Sequence, residues 1–180
     1  MSELPNRKRN RLEGYDYTKM GYYFITICTK NREHIFGNVA DGVMVLNEYG
    51  KIADETWNDL KNHNNGIETD IHCIMPNHVH GIIAIVGNGS KPFPVGNGSK
   101  PFRNNTSKIN PSLSEIVRQF KTFSSRYINA YQKRNGLEPF PTLWQKSFHD
   151  YIIRNETDYL KIQRYIYENP MLWTDDIYFG

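Results

Sequence analysis

The spacing of apolar residues changes repeatedly along this chain, and each change marks an element. Residues 22–29 (YYFITICT) are an almost unbroken aromatic and β-branched run. Such a run suits a strand covered on both faces, and therefore a central one. Residues 37–46 hold one or two short strands. From 47 to 63 the period becomes helical, with Ile52, Ala53, Thr56, Trp57 and Leu60 on one face. Asn64, Asn65 and Gly66 stop that helix. Two apolar runs follow, 67–75 and 79–86, split by Pro76-Asn77. Pro-Asn is turn chemistry, and strands joined by so tight a turn must be antiparallel. Helical spacing returns at 112–134, opened by Ser112 and Glu115 in a capping-box pattern. Leu113, Ile116, Val117, Phe120, Ser124, Tyr127, Ile128 and Tyr131 form its core stripe, and Asn135-Gly136 ends it. A short extended stretch is expected at 142–146. A last helix follows at about 156–168, with Asn155 as N-cap and Pro170 as stop.

Strands and helices do not alternate regularly, so the expected class is α+β, an antiparallel sheet with helices packed on it. The length, 180 residues, suits one domain. We expect a basic N-terminal arm over 1–20 and a single domain over 21–180. VGNGSKPF occurs at 86–93 and again at 95–102. Two polar copies are too few for a solenoid. They read as a surface loop, at about 86–110, lengthened by duplication at small entropic cost.

Composition narrows the function classes. Hydrophobic residues at 38% and charged residues at 23% fit a soluble globular protein. The two cysteines, Cys28 and Cys73, form no CxxC pair, which argues against a disulfide framework and for a reducing compartment. No apolar stretch is long enough to span a bilayer, and the N-terminus lacks the apolar segment of a signal peptide. A cytoplasmic protein without a membrane partner is expected. The net charge of +3 says little about nucleic acid. Its distribution says more: Arg7, Lys8, Arg9 and Arg11 cluster near the N-terminus. That cluster is either a solubilising tail or a phosphate-binding arm. Arg118 and Lys121, beside Ser125 and Asn129, could reach phosphates from the 112–134 helix, although taken alone they read better as a solvated face.

Two groups of residues could carry chemistry. In His78-Val79-His80 the imidazoles share one strand face, a natural start for a metal site. Gly81 follows, and a strand glycine permits close approach by a backbone or a ligand. Zinc would want four ligands, often with thiolate. His72 and Cys73 are adjacent and so point to opposite faces. An open site completed by water and phosphate oxygens suits Mg2+ or Mn2+ better. On the last helix, Tyr165 and Asn169 lie one turn apart. A tyrosine hydroxyl can attack phosphorus and form a covalent intermediate, and an amide oxygen can join a metal's shell. Spacing alone is equally satisfied by two strand histidines and a packing tyrosine.

Together these segments resemble the single-tyrosine HUH transposases, which include the REP-associated tyrosine transposases of bacteria. The likeness lies in MPNHVHGII (75–83), in the stretch from Arg9 to Thr29, and in WQKSFHDYIIRNETDYLKIQRYIYENP (144–170). It covers nearly the whole chain apart from the repeat loop. The resemblance implies a ferredoxin-like sandwich with the histidine strand central. It makes His78 and His80 metal ligands, Tyr165 the nucleophile and Asn169 the third ligand. Tyr167 is a rival nucleophile, but two residues along a helix rotate it about 200° from Tyr165. Pro170 disfavours the α conformation at Asn169, which counts against a clean single turn between that amide and Tyr165. The implied partner is single-stranded DNA beside a hairpin. The implied reaction cleaves and rejoins DNA through a covalent 5′-phosphotyrosine, with no nucleotide cofactor. A homodimer is compatible with the sequence. The competing readings are a catalytically inactive DNA-binding module of the same fold and a metal-dependent hydrolase of small phosphoesters.

Overall fold

The computed structural model describes residue 12 and residues 14–86 and 110–178. Arg7, Lys8, Arg9 and Arg11 lie outside the described residues, as does the repeat loop from 87 to 109. Strand β1 (Gly21–Cys28) is followed by a hairpin of β2 (Gly37–Ala40) and β3 (Val43–Leu46). Then come α1 (Glu48–His63), β4 (Ile67–Met75), β5 (His78–Ile85), α2 (Leu113–Arg134), β6 (His149–Ile153) and α3 (Glu156–Glu168). Four strands form one sheet in the order β4-β5-β1-β6, and every pairing is antiparallel. With the β2–β3 hairpin set aside, the order of elements is βαββαβ plus a final helix. This is the ferredoxin-like plan, with both histidines on a central strand. All eight residues of β5 are buried, as the continuous apolar run required.

The sheet has two unlike faces. On one, Tyr23, Ile25, Ile27, Val79, Ile83 and Ile85 pack against Trp57 and Leu60 of α1 and against Ile116, Val117 and Phe120 of α2. On the other, Tyr22, Ile82, Ala84 and Ile153 pack against Tyr159 and Ile166 of α3. The helices start where their caps dictate. Asn47 accepts from the Gly50 N–H, Ser112 and Glu115 form a reciprocal capping box, and Asn155 accepts from the Asp158 N–H. Tyr159 also donates to the Asp70 carboxylate in the β4 bulge, and Gln163 donates to the Tyr159 oxygen at 2.9 Å. Those contacts fix α3 over the second face and thereby fix where Tyr165 sits.

Sequence and structure differ locally at three places. A sixth strand, 149–153, was not foreseen; the extended stretch expected at 142–146 pairs with the segment after β1 through a bridge from Trp144 to Thr29. HDYII is short and opens on two polar residues, and among the described residues β6 lies at a sheet edge. Tyr127 is exposed and Tyr131 half-buried, the latter edge-on to the Tyr49 ring. Gly81 serves packing, not a ligand. A Cβ there would lie 2.3 Å from Trp57 Cζ2 and 3.0 Å from His72 Cβ, on the face opposite the histidine pair. Cys28 and Cys73 are both free, as expected. Among the described residues no helix is long and apolar enough to cross a membrane.

Gly81→Ala is therefore expected to destabilise the fold by about 2–3 kcal/mol, the cost of forcing a methyl group against a fully buried indole. Urea unfolding measures it. A midpoint equal to the parent's would mean that Trp57 does not rest on Gly81.

Candidate active site

Strand alternation sends His78 and His80 to the α3 face of β5, where their ring centroids are 4.3 Å apart. Both are fully enclosed, at 0% and 1% exposure. Their partners set their tautomers. Asn77 spends its amide N–H groups on the carbonyls of Arg32 (3.2 Å) and Tyr178 (2.8 Å). Its oxygen must then accept from His78 Nδ1, at 2.8 Å. That leaves the His78 Nε2 lone pair facing the site, buried and without a hydrogen-bond partner. His80 Nδ1 meets Thr26 Oγ1 at 2.9 Å, and its Nε2 lies 3.1 Å from the Tyr165 hydroxyl. Burial, first of all, depresses both imidazole pKa values, and at His78 the neighbouring His80 adds to the effect. Both rings are thus neutral at neutral pH, the form that binds metal.

Tyr165 extends from α3 over this pair. Its ring is edge-on to Phe24 (6.0 Å) and to His80 (5.1 Å). Burial, then the Asp176 carboxylate and Tyr178, push the phenol pKa up. Tyr167 is 75% exposed on another side of the helix. Asn169 keeps helical geometry (φ −54°, ψ −41°) despite Pro170. The chain continues as tight turns, with Met171 and Leu172 donating to the Glu168 carbonyl, and these hold Asn169 in the α region. Its side chain is buried and stays with Tyr165. Its Nδ2 donates to Asp176 Oδ2 at 2.6 Å, while its Oδ1 is buried without a partner.

Asp176 was not foreseen from sequence. It comes from the tail after α3, where neither period nor motif marks it. Three contacts bring it in. Trp173 is buried beside His78, Arg32 donates to the Ile177 carbonyl at 3.1 Å, and the Asp176 side chain accepts from the Tyr178 N–H at 2.7 Å. Its Oδ2 lies 4.0 Å from His78 Nε2 and 3.9 Å from His80 Nε2. Burial raises its pKa, but His80, the Tyr178 N–H and the Asn169 amide outweigh that, and the carboxyl is held well below the usual range. His78, His80 and Asp176 each offer a ligand atom within 4.8 Å of the others, so the cluster could hold a metal. The donor set fits a cation. An ionised buried carboxylate faces two neutral imidazoles, and two acceptor atoms are orphaned beside it.

The expected phosphate-binding residues fare differently. Arg118 is exposed and lines an open groove of about 1230 Å³ between α2 and residues 140–148. Lys121 lines the same groove, but its ammonium donates to the carbonyls of Gln145 (2.8 Å), Lys146 (3.4 Å) and Ser147 (2.9 Å). It ties that segment to α2.

No family model matches the chain. A Haemophilus influenzae protein described as uncharacterized is 35% identical over 177 residues, which cover 96% of this chain and 93% of that one. The two belong to one family. A second Haemophilus influenzae protein, provisionally named a REP-associated tyrosine transposase, is 25% identical over 156 residues, or 87% of this chain and 73% of that one. Among solved structures, a REP-associated tyrosine transposase bound to a REP hairpin superposes with a TM-score of 0.58 at 17% identity, covering 89% of this chain and 73% of the other. That likeness is one of fold.

Proposed function

We propose, from the premise that this chain resembles the REP-associated tyrosine transposases in sequence and in fold, that it cuts and rejoins single-stranded DNA beside a hairpin. Tyr165 is the nucleophile. The observation that carries the reading is the Tyr165 hydroxyl, 3.1 Å from His80 Nε2, at the edge of a buried His78–His80–Asp176 cluster. Packing alone would not need a phenol aimed at an imidazole lone pair.

The reaction is an exchange of phosphodiesters. As the Tyr165 oxygen bonds to phosphorus the phenol gives up its proton. The bond from phosphorus to the 3′ oxygen breaks, and that oxygen leaves as a 3′-OH. A 3′-OH attacking later reverses the step, so the bond energy is conserved and no nucleotide cofactor is needed. His78, His80, Asp176 and the Asn169 oxygen would hold Mg2+ or Mn2+. Such an ion polarises the scissile phosphate and offsets its charge. Burial first, then the Asp176 charge, keeps the Tyr165 phenol protonated at rest. The His80 Nε2 lone pair serves one partner at a time, either the Tyr165 hydroxyl or an ion.

Incubating the protein with labelled hairpin-bearing single strands and Mg2+ or Mn2+, then resolving it on a denaturing gel, tests the reading. A covalent protein–DNA band is expected. Binding without a band would favour the inactive DNA-binding module. Metal binding has its own readout. Mn2+ or Mg2+ at about a hundredfold over its dissociation constant should stabilise the native state by roughly 2.7 kcal/mol. That corresponds to a rise in Tm of roughly 5–10 °C for a domain of this size. Asp176→Asn, which removes the charged ligand, should abolish most of the rise. An unchanged Tm in the wild type would remove the ion from the proposal.

A further inference from the structure

We propose that Tyr151 and His149, on the outer strand β6, form a stacking shelf for the bases flanking the phosphate that Tyr165 attacks; the inference rests on the DNA-cutting reading above. Among the described residues β6 has one neighbouring strand in the sheet, β1. Ile153 is buried under α3, but Tyr151 and His149 continue the same sheet face beyond the helix, and both are exposed. Register ties them to the site. His149 lies opposite Thr26, which lies opposite His80, so the three form one row across the sheet. In the next row Tyr151 lies opposite Phe24, and directly opposed side chains are neighbours about 5 Å apart. The Phe24 ring in turn stacks on His80 at 5.4 Å and meets Tyr165 at 6.0 Å. An aromatic path thus runs from the nucleophile outward: Tyr165, Phe24, Tyr151.

Tyr151 leaves 49% of its surface exposed. Its hydroxyl donates to the Asp158 carboxylate at 3.4 Å, which steadies the ring against the start of α3. His149 flanks it, with its ring 6.3 Å from that of Tyr178. Lys146 and Arg154, both exposed, bracket the strand and could meet phosphates on either side. Large π faces beside a phosphate-cutting site, with cations at both ends, match single-strand recognition by stacking. Such a shelf tolerates any base, because every base has a π face. It would orient the strand while sequence is read elsewhere.

Fluorescence anisotropy with oligo-dT and with an abasic strand of equal length and charge tests the shelf without knowledge of the natural target. The wild type should bind oligo-dT at least about fivefold more tightly than the abasic strand, the low end of one base stacked on an aromatic ring. Tyr151→Ala should lose most of that preference, His149→Ala part of it, and Tyr151→Phe should keep it. Both residues are exposed, so these variants should fold. In the wild type, a strand carrying 2-aminopurine should also be quenched on binding, a check that needs no substitution. An undiminished preference in Tyr151→Ala overturns the shelf, even if the Tyr165 adduct still forms. Equal wild-type affinity for both strands also overturns it. If the wild type binds neither strand and forms no adduct, the shelf and the DNA-cutting reading fail together.

Discussion

Tyr165→Phe is expected to bind single-stranded DNA as the parent does and to form no covalent adduct. The substitution keeps the ring and therefore its contacts with Phe24 and His80. It deletes one hydrogen bond, to His80 Nε2, at a residue that is 37% exposed. The stability cost should be at most about 1 kcal/mol. The chemical cost should be roughly a thousandfold or more, because phenylalanine has no oxygen that can bond to phosphorus. Tyr167→Phe is the control. Tyr167 is 75% exposed and turned away from the cluster, so its variant should cut normally. Peptide mapping of the wild-type adduct should find DNA on Tyr165. An adduct on Tyr151, Tyr159 or Tyr167 would move the nucleophile and keep the enzyme class, whereas unimpaired adduct formation by Tyr165→Phe would refute the assignment outright.

Legibility in the sequence followed the strength of periodicity. β1, α1, β4, β5, α2 and α3 all carry long apolar patterns or explicit caps, and all appear close to the expected bounds. The antiparallel β4–β5 pair followed from Pro76-Asn77 alone. β6 escaped because an edge strand covered on part of one face needs few apolar residues, and HDYII supplies them only at its end. The site divides in the same way. His78 and His80 share a strand face by alternation, and Tyr165 and Asn169 share a helix face by spacing, so each pair was readable. That the two pairs meet was not readable from spacing. It depends on α3 being anchored through Tyr159 to Asp70, a contact between residues 89 positions apart. Asp176 was invisible because it sits in a turn held by Arg32, Asn77 and Trp173, and local sequence does not encode contacts of that kind. Gly81 teaches the reverse lesson. Its place beside the histidines suggested ligand access, yet the neighbour that demands a glycine is an indole on the other face.

Replacing both imidazoles, His78→Ala with His80→Ala, should end metal-dependent cutting altogether and erase the rise in Tm on adding Mn2+ or Mg2+. Full burial of both rings predicts a cost to the fold as well. Two rings leave cavities among Phe24, Trp173 and Tyr178, and the Asn77 oxygen and Thr26 hydroxyl lose partners. A loss of roughly 2–5 kcal/mol is expected, readable by thermal melting and separable from the chemistry. His80→Gln settles the matter if the double variant unfolds. Its side chain fills much of the ring's volume and can still bond Thr26, but it offers an amide where the imidazole lone pair stood. That variant should fold, bind single-stranded DNA, and cut at least about a hundredfold more slowly, in line with losses seen when the shell of a metal site is disturbed. Two roles of His80 are then distinguishable. If the imidazole only held the Tyr165 hydroxyl in place, His80→Gln would cut more slowly yet keep the full metal-induced rise in Tm. If Nε2 binds the ion, both fall together, because the same lone pair that now receives the phenol is the one an ion must claim. Full cutting by the double variant, still dependent on added metal, would sink the assignment of both histidines.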